Sequence, residues 1–137
     1  MQRSASATWR GSLKEGTGTF SVQSGAIRDL PYSFRTRFES EPGTNPEELI
    51  AAAHASCFSM ALSAQLGERG ITPAAVTTSC AVTFENLTLS TSVLTTTVRA
   101  PGADRAKVEE AAAAAKAGCP ISKVLQLAIE LRLTVEG

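Results

Sequence analysis

From Leu49 to Gly67 the chain carries no Asp, Glu, Lys or Arg. That stretch constrains the fold more than any other. It is announced by Asn45, Pro46 and Glu48: an N-cap, a residue suited to the first helical position, and a partner three residues on for a capping box. Glu47 is left free for another task. The spacing predicts a helix that runs to about Leu66 and stops near Gly67 or Gly70, spanning about 30 Å. Ala51, Ala52, Ala53, Ala55, Ala61 and Ala64 are distributed around it, with Cys57, Phe58, Met60 and Leu62. The middle of the helix has no consistently polar face. A helix apolar all round must be buried all round. One chain of 137 residues can hardly wrap it, so a second copy is expected to cover the remaining side. A membrane span is the competing reading. The Ala, Ser and Gly content, with His54 and Gln65 inside, is too weakly apolar for one. A buried helix of a soluble protein is expected instead.

The length suits a single domain over residues 1–137. The first forty residues read as strands and turns, punctuated by Gly11, Gly16 and Gly18. In PYSFRTRFES, alternation puts Phe34, Thr36 and Phe38 on one side of a strand and Arg35 and Arg37 together on the other. After the long helix, AAVTTSCAVTFEN and TLSTSVLTTTVRA read as two strands joined near Asn86. A second helix begins near Asp104 and ends at Gly118. Pro120 starts a short third helix with Cys119 at its N-cap position, and AIELRLTVEG closes the chain as a strand. Clustered strands with helices on one face predict an α+β fold.

Thirteen basic residues balance thirteen acidic ones without forming a run, which leaves no footprint for nucleic acid or an anionic membrane. The first residues lack the apolar core of a signal peptide. A cytoplasmic location is expected. Three cysteines are an odd count for a disulfide-stapled domain, so free, catalytic or metal-binding thiols come into view.

Cys57 lies mid-helix, where a cysteine is most often a small hydrophobe. Cys119 opens a helix, which favours its thiolate; on local grounds it is the better nucleophile. Cys80, inside a Val/Thr strand, reads as core. His54 shares a helix face with Cys57 and reads as a hydrogen-bonded helix residue or a pocket wall. A zinc site of His54, Cys57, Cys80 and Cys119 lacks the usual paired spacing. No phosphate-cradling motif is present, and no cofactor or metal is expected. Arg37 and Glu47 alone read as solvated charges.

The segment TRFESEPGTNPEELIAAAHASCFSMAL (36–62) and the segment KAGCPISKVL (116–125) closely resemble the OsmC/Ohr family. So do ATWRGSLKEGTGTFSVQSG and PYSFRTRFE, and the forms of PYSFRTRFE and AAHASCFSMALS favour its OsmC branch. The resemblance implies an intertwined homodimer with two antiparallel-rich sheets wrapped around two long central helices, and active sites at the subunit interface. It implies a thiol peroxidase for organic hydroperoxides, with hydrogen peroxide as a second candidate substrate, in stress defence. Cys57 would be the attacking thiol and Cys119 the resolving one. Glu47 would be the active-site glutamate and Arg37 the arginine beside the thiol, with Arg35 the alternative. A lipoyl-type dithiol would be the reductant. Phe58 and Met60 are expected to line a pocket for the alkyl group. A non-enzymatic ligand-binding protein or a thiol redox sensor on the same fold is the competing function.

Overall fold

The computed structural model describes all 137 residues. They form two compact units, 1–48 and 49–137. The first is built on a three-stranded antiparallel sheet of β1 (Ala5–Arg10), β2 (Thr17–Val22) and β3 (Leu30–Tyr32). Its sides are tied by aromatic contacts: Trp9 and Tyr32 lie with ring centroids 5.5 Å apart, Phe20 and Tyr32 5.7 Å. Gly18 sits under these rings. A Cβ there would meet Tyr32 Cε1 at 2.6 Å and Trp9 Cε3 at 2.7 Å, so only glycine lets both aromatics close over the strand.

Past Tyr32 the strand expected over 34–38 does not continue. Phe34–Phe38 is a short helix, α1. Ser33 caps it: Thr36 N–H donates to Ser33 Oγ at 3.2 Å, and Ser33 N–H donates to Thr36 Oγ1 at 2.9 Å. The error has a plain source. Phenylalanines four apart satisfy a period of 2 and a period of 3.6 equally, and Thr is an unusual fourth member of a capping box. In a helix, residues two apart point about 200° from one another. Arg35 and Arg37 therefore do not share a face.

Helix α2 (Pro46–Glu68) follows the sequence signals closely. Glu48 N–H donates to Asn45 Oδ1 at 2.8 Å, and Asn45 Nδ2 donates to Glu48 Oε2 at 3.0 Å. Its end is a Schellman turn: Ile71 N–H reaches Leu66 O, Gly70 N–H reaches Gly67 O, and Gly70 adopts φ +73°.

In the second unit, β4 (Ala75–Glu85) and β5 (Thr88–Arg99) form an antiparallel hairpin. Asn86 and Leu87, both left-handed, make its two-residue turn. The chain then crosses over through α3 (Arg105–Gly118) and α4 (Pro120–Val124), and β6 (Ala128–Glu136) pairs with β5 in parallel. α3 begins at Asp104, whose Oδ1 accepts from Ala106 N–H at 2.9 Å. Its buried stripe is Val108, Ala111, Ala112 and Ala115.

α2 buries His54, Phe58, Leu62 and Leu66, residues four apart on one stripe. They pack with Leu94, Val98 and the α3 stripe. Each fully buried Leu or Phe contributes about 1.5–3 kcal/mol. Two polar contacts fix the helix on the sheet: His54 on Ser92, and Ser59 Oγ donating to Thr78 Oγ1 at 2.8 Å, itself 3.1 Å from Thr96 Oγ1. The other flanks of α2 stay uncovered within one chain, with Met60 79% exposed. By length and hydropathy α2 also qualifies as a bilayer-crossing segment, but its buried stripe carries a hydrogen-bonded histidine and packs as a core helix does. The architecture is α+β, as expected.

Candidate active site

Cys119 is both the last cap of α3 and the first of α4. Pro120 disfavours helical geometry at the residue before it, and Cys119 accordingly adopts φ −56°, ψ 127°. The kink turns its side chain into the core, where it is wholly buried. Cys57 stands on the shoulder of the buried stripe of α2, half-buried. Sixty-two residues apart in sequence, the two sulfurs lie 2.9 Å from one another, both as free thiols. A disulfide of about 2.05 Å needs a closure of less than about 1 Å.

Their environments differ. Burial pushes the Cys57 thiol above its ordinary value, and its hydrogen bond to Cys119 pushes it further; the Ile121 N–H opposes weakly. Burial also pushes Cys119 upward. There the hydrogen bond shared with Cys57, the N–H groups of Ser122 and Ile121 and the Ser122 hydroxyl win, and the net shift is downward. The two thiols are thus pushed in opposite directions, Cys57 up and Cys119 down.

Next to the thiols lies a buried polar cluster. His54 Nδ1 is 2.7 Å from Ser92 Oγ, and Nε2 is 2.8 Å from Ser122 Oγ. Cys80 Sγ is 3.1 Å from Ser92 Oγ and 4.0 Å from His54 Nδ1. Burial holds the imidazole below its ordinary pKa, favouring the neutral ring. No three of His, Cys, Asp and Glu are grouped to hold a metal. Ser92 and Ser122 went unnoticed in the sequence. Ser122 is detectable in principle, three residues after an N-cap cysteine and so on the first turn of α4. Ser92 is hidden among the Ser and Thr residues of β5.

In the first unit Arg37 grips Glu47. Nη2 donates to Oε1 at 2.9 Å and Nε to Oε1 and Oε2 at 3.1 and 3.4 Å. The Glu47 side chain is 13% exposed and that of Arg37 36%. A cleft of about 220 Å³ opens beside them, lined by Trp9, Leu13, Tyr32, Ser33, Phe34, Arg37 and Phe38. These aromatics, not Phe58, form the apolar cup. Phe58 is fully buried in the core and has no face left for a ligand. For Phe58 the expectation fails because position 58 points about 100° away from Cys57 around the helix; Met60 is exposed.

The family model for OsmC-like proteins matches residues 38–134. The chain belongs to that family. It is 45% identical over 135 residues to Peroxiredoxin OsmC of Escherichia coli (strain K12), covering 96% of this chain and 94% of that protein. Among solved structures, an OsmC-like protein of unknown function from Vibrio cholerae superposes with a TM-score of 0.77 at 16% identity, over 97% of this chain and 99% of that one. The organic hydroperoxide resistance protein OhrB of Bacillus subtilis gives 0.67 at 24% identity, over 97% and 98%. At those identities the likeness establishes the OsmC fold alone.

Proposed function

We propose that this OsmC-like protein is a thiol peroxidase of the cytoplasm, acting as one domain in a homodimer, that reduces organic hydroperoxides to alcohols. The observation that carries the proposal is the pair of free thiols with sulfurs 2.9 Å apart. The 45% identity to a protein named Peroxiredoxin OsmC supports the reaction class. A family match running from residue 38 to residue 134 supports a single domain. The exposed apolar flank of α2 around Met60 supports a dimer.

In this reading the Cys57 thiolate attacks one peroxide oxygen. The S–O bond forms as the O–O bond breaks, and the alkoxide leaves and takes a proton to become the alcohol. Cys57 is left as a sulfenic acid. The Cys119 thiolate attacks that sulfur, the S–S bond forms, and hydroxide leaves and is protonated to water. A lipoyl-type dithiol then reduces the disulfide by exchange.

Burial and Cys119 push the Cys57 thiol up, so the reading requires a cation, and Arg37 is assigned to it. Below the thiol pKa, each unit of lowering raises the thiolate fraction about tenfold and cuts its nucleophilicity about threefold. The net gain is about threefold per unit. Ionisation is therefore the smaller part of what Arg37 does. Its larger part is to orient the peroxide and stabilise charge on the leaving oxygen, with Glu47 fixing the guanidinium. The aromatic cup beside Arg37 supports an alkyl hydroperoxide over hydrogen peroxide.

A thiol count before and after one equivalent of cumene hydroperoxide tests the assignment. The expected result is a loss of two thiols per chain, abolished in Cys57→Ser. An unchanged count would instead mark a binding protein. Steady-state turnover with a lipoyl dithiol should exceed turnover with thioredoxin or glutathione, and kcat/KM for cumene hydroperoxide should exceed that for hydrogen peroxide.

A further inference from the structure

His54 is the only histidine of the chain. It is wholly buried, as is Ser92, and Ser122 is nearly so. The peroxidase chemistry above uses none of the three. Polar side chains on an otherwise apolar stripe are costly unless their hydrogen bonds are complete. Here they are complete, and they form a row: Cys80, Ser92, His54 and Ser122. Ser122 stands on the first turn of α4, three residues past its cap Cys119, and its hydroxyl contributes to lowering that thiol.

A row of this kind has a direction. A neutral imidazole has one donor nitrogen and one acceptor nitrogen. A hydroxyl has a single hydrogen. If Nδ1 accepts from Ser92, then Nε2 carries the hydrogen and donates to Ser122. The hydrogen of Ser122 is then free to point at Cys119, while Ser92 accepts from the Cys80 S–H. In the opposite tautomer every bond reverses. Ser122 would spend its hydrogen on the ring and present only lone pairs to the sulfur, which repels a thiolate. A thiolate at the Cys119 end selects the first arrangement.

We propose that His54 is a positioning residue for the resolving thiol: held by Ser92 as the Nε2–H tautomer, it aims the Ser122 hydroxyl hydrogen at the Cys119 sulfur. The proposal rests on the reading in which Cys119 resolves the Cys57 sulfenic acid. Its effect is on the disulfide-closing step, where the Cys119 thiolate forms the S–S bond, the Cys57 S–O bond breaks, and hydroxide leaves as water after protonation. Burial, which disfavours imidazolium, keeps the ring in the neutral form on which this directionality depends.

Three measurements test it. Two-bond proton–nitrogen correlation spectra of the reduced protein should report the Nε2–H tautomer; finding the Nδ1–H tautomer overturns the proposal. In a Cys57→Ser, Cys80→Ser background, the ultraviolet absorbance of the thiolate gives the Cys119 pKa. Ser122→Ala should raise it by about one to two units, and Ser92→Ala by less. His54→Gln, whose amide still donates to Ser122, should raise it less than His54→Leu. No change in Ser122→Ala overturns the proposal, and that variant suffices if His54→Leu does not fold. With the native cysteines restored, stopped-flow should show Ser122→Ala slowing disulfide closure about threefold or more relative to sulfenic acid formation, below the Cys119 pKa. Equal slowing of both steps indicates a merely structural role and overturns it. A raised Cys119 pKa with slowed peroxide attack instead would sustain the positioning role and refute Cys57 as the attacking thiol.

Discussion

Two polar constellations of this protein are built on opposite physical terms. The Arg37–Glu47 pair is a charged fork on a short capped helix, with the guanidinium about one-third exposed and an apolar cup at its side. The cluster of Cys57, Cys119, His54, Ser92, Ser122 and Cys80 contains no Asp, Glu, Lys or Arg, and packs into or against the core of the second unit. The first holds charge where water still screens it, beside an open cleft. The second holds thiols and an imidazole where burial opposes charge. The difference teaches that the fork keeps its charges within reach of water, while burial pushes a thiol such as Cys57 upward.

The sharpest break of that comparison is Cys57→Ser, which should abolish peroxide turnover, a loss of about a thousandfold or more, with the fold retained by circular dichroism. Peroxide consumption with a lipoyl dithiol measures it; residual turnover above a few per cent would move the nucleophile elsewhere. Next comes Arg37→Lys. It keeps the charge and loses the planar fork onto Glu47, so kcat/KM should fall about tenfold or more. Full activity in Arg37→Lys would show that charge alone suffices and remove the orienting role.

Stability should divide the two regions the other way. Leu62→Ala, in the fully buried stripe of α2, should cost about 2–5 kcal/mol in denaturant unfolding. Glu47→Gln, which breaks a partly exposed ion pair, should cost about 1 kcal/mol or less while lowering activity. Comparable losses from both would mean that the fork is structural.

The smallest effect is on pH. The folded-state pKa of His54 is lowered by burial. Below the unfolded value of about 6.5 the unfolded chain takes up a proton that the folded chain refuses. Stability therefore falls as pH drops below about 6.5, and His54→Gln should flatten that part of the Tm–pH curve. An unchanged slope would mean that His54 is protonated in the folded protein.

Much of this was legible in advance. The cap of α2 at Asn45, Pro46 and Glu48, its end at Gly70, the hairpin turn at Asn86 and the break at Gly118–Pro120 are local signals, and each is obeyed. The two cysteine motifs were readable as a family resemblance, which the family match over residues 38–134 bears out. The strand expected at 34–38 failed because Phe34 and Phe38 fit either period. The stripe of α2 gave no warning of which side chains it would hide, so Phe58 was misread as a pocket wall.

What the sequence by itself determined, then, is where elements start and stop and which residue types they carry, because capping and turn chemistry act over three or four residues. What only the tertiary structure decided is who meets whom. The crossover from β5 through α3 and α4 sets Cys119 against Cys57 across sixty-two residues. α2 laid on β5 turns His54 to Ser92, and the first turn of α4 turns Ser122 to His54. The capped helix α1 sends Arg37 rather than Arg35 to Glu47. These are long-range packing outcomes, fixed by how buried surfaces fit together, and local periodicity carries no record of them.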